Sequence, residues 1–260
     1  MGKIRIKVDP EIAPFVEVEN CDDFDLDKYF VTQTQIDIIN DIEQDLELCK
    51  ELEEYGLHDV NTTLLFGPSG TGKTTFARFV AHVLDKDFVY VNYSKLKDEG
   101  YGQTEKNLSK VFRYMTSQDC VFMLDELDAI ATVRTASTDE RLKGSTVTLM
   151  QELDYCKAHN PKAVIIGATN VIDNLDPAIR TRFSIEEEIP LLSNEEKLGF
   201  VCKYLNAIDV PYNLDQIREY IARNSRVTQR IMEQDMIRAM KAWLASSKEG
   251  FVTLKAYKNY

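Results

Sequence analysis

The sequence has few of the residues that would indicate a metal centre, a disulfide framework or a membrane span. Its five cysteines lie far apart without a Cys-x-x-Cys pair, and only three histidines are present. Neither a zinc site nor a set of disulfides is indicated, and the cysteines favour a reducing compartment. No apolar run comes near the roughly 18 residues of a membrane helix, and the beginning does not resemble a cleavable signal. We therefore expect a soluble, cytoplasmic protein.

The sequence has fewer basic than acidic residues: it contains 31 lysines and arginines and 43 aspartates and glutamates, which gives a net charge of −12. A molecule this acidic repels polyanions, which argues against a broad nucleic-acid surface. The apolar fraction of 44% is ordinary for a globular protein. The 260 residues suffice for one large domain, or for a core domain with a small second one.

The clearest motif lies where an apolar run leads into a glycine-rich loop and then a helical stretch. Residues 67–74 fit the P-loop pattern GxxxxGKT. The glycines let consecutive backbone N–H groups surround phosphate oxygens at a helix N-terminus. Lys73 is expected to reach the β- and γ-phosphates, and the Thr74 hydroxyl to bind Mg²⁺. The predicted nucleotide-binding residues are Gly67, Pro68, Ser69, Gly70, Thr71, Gly72, Lys73, Thr74 and Thr75.

A second motif is the apolar strand 121–124, which ends in the adjacent carboxylates Asp125 and Glu126. Two carboxylates at one strand tip repel each other unless a cation or ligand balances them, so a purely structural role is disfavoured. Together with the P-loop, this pattern indicates a Walker B motif. Asp125 is expected to hold Mg²⁺ through its water shell, and Glu126 to orient and deprotonate the attacking water.

Apolar periodicity predicts an α/β fold in which strands alternate with helices. Such alternation implies right-handed βαβ units and a mostly parallel sheet covered by helices. Ligands of such sheets bind at the carboxyl ends of the strands, where Gly67, Asp125 and Asn170 all fall. The predicted strands are residues 64–66, 88–91, 121–124, 163–167 and 185–189, and the predicted helices include residues 34–55, 74–84 and 138–156.

We predict three parts along the chain. Residues 1–33 contain two prolines and a dense acidic cluster, which favours an extended N-terminal lead-in. Residues 34–190 form the P-loop α/β core. Strands cease after Pro190, and the helical stretches 193–207, 214–223 and 227–245 follow. Residues 191–260 are therefore predicted to be a small helical lid domain with a C-terminal tail.

Two further segments complete a family pattern. Residues 166–170 are Ile-Gly-Ala-Thr-Asn, and residues 175–183 are Leu-Asp-Pro-Ala-Ile-Arg-Thr-Arg-Phe. With the P-loop and residues 124–128, they make the chain resemble the AAA+ ATPases over roughly residues 34–245, close to the AAA clade proper that includes katanin-like and proteasome-type remodelling ATPases. The resemblance implies hydrolysis of ATP with Mg²⁺ in a ring of identical subunits, with a hexamer as the expected size, which remodels, unfolds or disassembles a protein substrate.

The resemblance also implies roles for single residues. Asn170 matches the polar sensor 1 residue that senses the γ-phosphate, and otherwise it is a turn former at a strand end. Arg182 matches the arginine finger that one subunit supplies to the nucleotide of its neighbour. Related proteins carry two arginines here, and the first is expected at position 181, where Thr181 stands, so Arg180 lies one place early. It is therefore either a second finger or a surface ion pair.

Two candidates have weaker matches. Arg226 occupies the position of a sensor 2 arginine, and its alternative is a solvated arginine at a helix start. Tyr101 lies between two glycines at the position of pore loop 1. An aromatic residue there is suited to gripping a polypeptide in a ring channel. The alternative is an ordinary loop tyrosine.

Two rival functions stay open at this point. One is a nucleotide-dependent loader or switch in DNA transactions, which the fold and the position of Arg226 support. The other is a regulatory ATPase subunit of a two-protein system, which the short lead-in favours weakly. Direct binding of nucleic acid is not expected from the charge.

Overall fold

The computed structural model describes residues 4–91, 93–96, 103–129, 140–159 and 163–256. The pore-loop candidate Tyr101 lies outside these residues. The described chain forms two compact units. The first unit comprises Met1–Phe24, Ile36–Gly67 and Lys73–Glu188. The second unit comprises Asp25–Gln35, Pro68–Gly72 and Ile189–Tyr260.

A six-stranded sheet organises the first unit, in the order β1-β3-β4-β5-β2-β6. Neighbouring strands are parallel except for β1, which is antiparallel to β3 and forms one edge. This confirms the predicted α/β fold with a mostly parallel sheet flanked by helices. The strands are β1 (Val16–Glu19), β2 (Thr62–Phe66), β3 (Asp87–Val91), β4 (Cys120–Leu124), β5 (Val164–Thr169) and β6 (Ile185–Glu188).

The long helices follow the predicted apolar periodicity, and the structure adds the single-turn helices α3 and α6. The short helix α6 has Asp176 as its N-cap and begins at a proline, both typical of a helix start. A single turn has no apolar period, so sequence reasoning could not predict it. The helices are α1 (Gln33–Glu54), α2 (Lys73–Val83), α3 (Tyr93–Leu96), α4 (Gln103–Thr116), α5 (Glu140–His159), α6 (Pro177–Arg180), α7 (Asn194–Ala207), α8 (Leu214–Arg223) and α9 (Gln229–Ala245).

The core of the first unit explains why its central strands are continuous apolar runs. All five residues of β4 are buried, as expected for a strand covered on both faces. Helices α4 and α5 contribute apolar side chains to the same cluster. Phe112 of α4 meets Phe122 of β4 edge-on, with ring centroids 5.2 Å apart. This packing fixes the strand whose end carries Asp125.

Strand β1 is an addition to the predicted sheet, since the residue pattern there predicts only an extended lead-in. Val16 and Val18 alternate with Glu17 and Glu19, which is the pattern of a half-buried strand. Glu19 accepts hydrogen bonds from Nε and Nη2 of Arg78 on α2, at 2.7 and 2.8 Å. The four-residue alternation is too short to be distinguished from a proline-flanked coil by sequence alone.

The second unit is built from α7, α8 and α9 around its own apolar core. Ser193 and Glu196 form a capping box at the start of α7, and Thr228 caps α9. Met232 and Met236 of α9 are fully buried in this core. Among the described residues, no helix is both long and apolar enough to cross a membrane.

Candidate nucleotide site

The carboxyl ends of β2, β4 and β5 bring several predicted site residues of the first unit into contact. Lys73 Nζ donates hydrogen bonds to the Gly67 carbonyl at 2.7 Å and to Asn170 Oδ1 at 2.8 Å. Thr74 Oγ1 donates to Asp125 Oδ2 at 2.8 Å. The parallel order β4-β5-β2 explains this meeting, because strands that run the same way end at the same edge. Residues 97 positions apart thus become direct partners.

Lys73 carries its charge in a buried place. The residue is only 6% exposed. Burial lowers the pKa of its ammonium from the usual value, while the nearby Asp125 and Asp128 carboxylates act in the opposite direction. A buried cation needs a charged or strongly polar partner to offset its desolvation. The phosphates of a nucleotide are such a partner, and an ammonium group binds them well.

The two adjacent carboxylates differ in environment. Asp125 is half-buried, whereas Glu126 is exposed and has a backbone φ of 53°. This left-handed conformation is uncommon for a residue with a side chain. The N–H of Glu126 donates to Asp125 Oδ1 at 2.8 Å and helps to hold the turn. An exposed carboxylate beside a half-buried one fits two roles, in which Glu126 takes a proton and Asp125 attracts a cation.

Asp128 is a site residue to which sequence reasoning assigns no role. It lies on the single 3₁₀ turn Leu127–Ala129 that follows the carboxylates. Its Oδ1 accepts a hydrogen bond from Thr169 Oγ1 at 2.8 Å and a longer one from the Asn170 N–H at 3.4 Å. Asp128 therefore ties the end of β4 to the end of β5, next to the side chain that contacts Lys73.

The Asp128–Thr169 hydrogen bond gives a first prediction. Thr169→Val keeps the shape of this buried side chain but removes the hydroxyl. A hydrogen bond to a carboxylate is worth on the order of 1–3 kcal/mol. We expect the maximal rate of ATP hydrolysis to fall about fivefold with little change in KM, because Asn170 loses its orientation.

Thr169→Ser is the matched control, since it keeps the hydroxyl. Steady-state kinetics and thermal melting of both variants check the prediction. An equal loss in both variants, or a loss that follows the melting temperature, would contradict a positioning role for the hydroxyl.

Within the second unit, loop residues 68–72 are held by the first turn of α9. Gln229 Nε2 donates to the Thr71 carbonyl at 2.9 Å, and the Arg230 N–H donates to the Gly70 carbonyl at 3.2 Å. Gly70 has a φ of 83°, and a Cβ there would lie 2.8 Å from Thr228 Oγ1. Only glycine fits this position. These bonds engage two carbonyl oxygens of the loop.

The helix side chain that makes this contact is not among the predicted site residues. Arg226, the sensor 2 candidate, is exposed and precedes α9, which begins at Gln229. The side chain that contacts the loop is Gln229, which sequence reasoning missed. The sequence feature that could have indicated this contact is the N-cap Thr228, which places Gln229 at the first position of α9. Thr75, also among the predicted binding residues, is exposed on α2.

The two finger candidates are both engaged in ion pairs on the first unit. Arg182 Nε and Nη2 donate to the carboxylate of Asp154 on α5, at 2.9 and 2.8 Å. Arg180 donates from Nε to Glu186 at 3.0 Å and from Nη2 to the same carboxylate. This carboxylate raises the pKa of Arg180. In this structure, Arg180 thus forms a partly exposed ion pair, as Arg182 does.

A P-loop lysine and a strand-end carboxylate pair on a parallel sheet define a P-loop nucleotide-binding protein. Residues 63–191 match the family described as "ATPase family associated with various cellular activities (AAA)". The chain therefore carries an AAA ATPase domain, which confirms the predicted family.

Individual relatives agree with this assignment. A putative 26S proteasome regulatory subunit homolog of Methanocaldococcus jannaschii is 32% identical over 180 residues, which cover 67% of this chain and 47% of that protein. The peroxisomal ATPase pex6 of Schizosaccharomyces pombe is 41% identical over 170 residues, 64% of this chain and 18% of that protein. Fidgetin-like protein 1 of Drosophila melanogaster is 33% identical over 164 residues, 61% of this chain and 30% of that protein.

A solved structure supports the fold over nearly the whole chain. A chain in the structure of the E. coli MS115-1 HORMA:CdnC:Trip13 complex matches with a TM-score of 0.72 and 16% identity, and the match covers 95% of this chain and 94% of that chain. This chain spans less than half the length of the three relatives above. The domain binds nucleotide, and its family and the relatives named as ATPases support ATP hydrolysis, as predicted.

Proposed function

We propose that this chain hydrolyses ATP with Mg²⁺ at sites shared between subunits of a ring, and that the nucleotide cycle remodels a protein substrate. The observation that carries the proposal is the meeting of Lys73 with Asn170, and of Thr74 with Asp125, at one edge of the sheet. These four side chains supply a cation for phosphate, an amide for the γ-phosphate and oxygen ligands for a metal ion.

The donor set fits Mg²⁺. A hydroxyl and a carboxylate are the hard oxygen ligands that this ion prefers, and Thr74 Oγ1 and Asp125 Oδ2 lie 2.8 Å apart. Thr74 would hold the ion directly and Asp125 through its water shell. When bound, Mg²⁺ neutralises negative charge on the phosphates.

Four side chains of the protein have separate roles in hydrolysis. Lys73 binds the β- and γ-phosphates and stabilises the charge that develops on the leaving oxygen. Glu126 orients the attacking water and accepts its proton. Asn170 hydrogen-bonds the γ-phosphate when Lys73 turns from its amide toward the nucleotide. Asp128 keeps the backbone of Asn170 in place for this contact.

The ring is the part of the proposal that depends on Arg182. An arginine finger stabilises the charge spread over the transferring phosphoryl group of a neighbouring subunit. A closed ring of identical copies, with a hexamer as our proposed size, gives each site one such arginine. Relatives named as a proteasome regulatory subunit, a peroxisomal ATPase and a ribosome biogenesis ATPase favour work on protein assemblies.

The remaining assignments are part of the same proposal. We retain the division into a lead-in (1–33), a core (34–190) and a lid with tail (191–260). We also retain Tyr101 as the pore-loop candidate and Arg226 as the sensor 2 candidate that faces the phosphates. The cytoplasm is the proposed compartment, which the five free cysteines favour.

The test is the ATPase rate per subunit measured across protein concentration, with the mass in solution determined on the same samples. If the sites are shared, the rate per subunit rises on the order of tenfold or more as the ring assembles, because a finger contributes about 10³ or more. If the protein stays a monomer and its ATPase rate per subunit does not change with concentration, the shared-site proposal is contradicted. The loader or switch function would then be favoured.

A further inference from the structure

Arg182 is held at its tip by one carboxylate. Its Nε and Nη2 donate to the two oxygens of Asp154, at 2.9 and 2.8 Å, and its Nη1 donates to the Ala178 carbonyl. A guanidinium has five N–H donors, so these contacts use three of them. The charge of the arginine is balanced by Asp154.

The backbone of Arg182 is fixed by other groups. Its carbonyl accepts from Thr62 Oγ1 at 3.0 Å, and its N–H donates to the Ile179 carbonyl at 3.0 Å. The next residue, Phe183, is buried in the core. The main chain at Arg182 therefore keeps its place without Asp154. Asp154 and the Ala178 carbonyl together set only the direction of the guanidinium.

The Asp154–Arg182 pair is accessible to solvent. The side chain of Asp154 is 55% exposed and that of Arg182 is 25% exposed. The other two-pronged pair on α5, between Arg113 and Glu152, differs because the Glu152 side chain is only 3% exposed. An ion pair in contact with water is screened and contributes little. The guanidinium of Arg182 can therefore leave Asp154 at small cost.

We propose that Asp154 is the resting partner of Arg182, and that Arg182 exchanges this carboxylate for the phosphates of a neighbouring subunit's ATP. The inference rests on the proposed function, because it requires Arg182 to act in trans. A polyphosphate carries more negative charge than one carboxylate and offers a guanidinium the same two-pronged geometry. A carboxylate kept beside those phosphates would repel them, so exchange is favoured over a shared arrangement.

This exchange makes subunit association depend on the nucleotide of the neighbour. With ATP at the facing site, the phosphates draw Arg182 away from Asp154. After the γ-phosphate is lost, the facing charge is smaller and Arg182 returns to Asp154. The resting pair therefore weakens ring contacts in the absence of ATP and acts as a positioning device, not as a group that touches the reacting atoms.

The experiment uses the full chain with the substitution Glu126→Gln, which is expected to retain ATP. Sedimentation velocity with ATP and Mg²⁺ gives the protein concentration at which half of the subunits are assembled. Asp154→Asn keeps the size of the side chain and removes its charge. We expect it to lower the half-assembly concentration about fivefold, the scale of a surface ion pair, with an unchanged melting temperature.

Two further variants isolate the cause. Adding Arg182→Ala should abolish the effect of Asp154→Asn, because no guanidinium remains to be released. Glu186→Gln removes the carboxylate from the similar pair at Arg180 and should leave the half-assembly concentration unchanged.

The outcomes separate this inference from the function on which it rests. If Arg182→Ala weakens assembly but Asp154→Asn does not strengthen it, the exchange is refuted while the ring proposal stands. A weaker ring in Asp154→Asn also refutes the exchange, since Asp154 would then be needed in the assembled state. If Arg182→Ala does not change assembly, and in the chain with Glu126 intact does not change the dependence of the rate on concentration, the shared-site proposal itself fails.

Discussion

Glu126→Gln is expected to reduce ATP turnover on the order of 10³-fold while the protein still binds ATP. Glutamine has the size of glutamate but cannot accept a proton from water. Glu126 is exposed beside the half-buried Asp125, so the substitution leaves the packing of the site intact. Phosphate release measures turnover, and titration with a fluorescent ATP analogue measures binding.

The control for this variant is Glu51→Gln, which changes an exposed glutamate on α1 in the same unit. It should leave both turnover and binding unaltered. Unchanged hydrolysis in Glu126→Gln would reject Glu126 as the base. Loss of ATP binding in that variant would mean that the carboxylate holds the ligand instead of accepting the proton.

Arg182→Ala is expected to lower the maximal ATPase rate on the order of 10³-fold, the scale of a finger supplied in trans. ATP binding should persist, because Lys73 and the P-loop belong to the subunit's own site. The dependence of the rate on protein concentration should disappear. Arg223→Ala, which removes an exposed arginine paired with Glu219 on α8, is the matched control.

Mixing two inactive variants tests the trans arrangement directly. A subunit with Arg182→Ala keeps an intact Glu126, and a subunit with Glu126→Gln keeps an intact Arg182. In a mixed ring, some sites combine the two intact groups, so activity should return when the variants are combined. If each variant is inactive and mixing restores nothing, Arg182 acts within its own subunit.

The central part of the fold and site could be predicted from sequence because its signals are local. The P-loop, the strand-end carboxylates and the alternating apolar runs each lie within a few residues. Parallel strands then explain why Gly67, Asp125 and Asn170 lie at one edge, before any distance is known. The structure brings Lys73 to both Gly67 and Asn170, as that reasoning implies.

The contacts that sequence reasoning missed at the site depend on pairs of residues that are distant in sequence. Asp128 is close to Asp125 in the chain, but its partner Thr169 is 41 positions away. Asp154 and Arg182 are 28 positions apart, with no spacing rule to join them. Gln229 contacts Thr71 across 158 positions. Such pairs follow from the packing of whole elements, which a helical or strand period does not specify.

The edge strand β6 has a consequence for how copies of this chain meet. It is the last strand of the sheet, and its sequence is Ile-Glu-Glu-Glu. An edge strand offers backbone hydrogen-bonding groups to any other strand, which is a common route to aggregation. Two β6 strands that paired with each other would place glutamates against glutamates, and such like-charge pairs are unfavourable. Edge-to-edge pairing of the sheets of two subunits is therefore disfavoured, even at the high local concentration of a ring such as the one we propose.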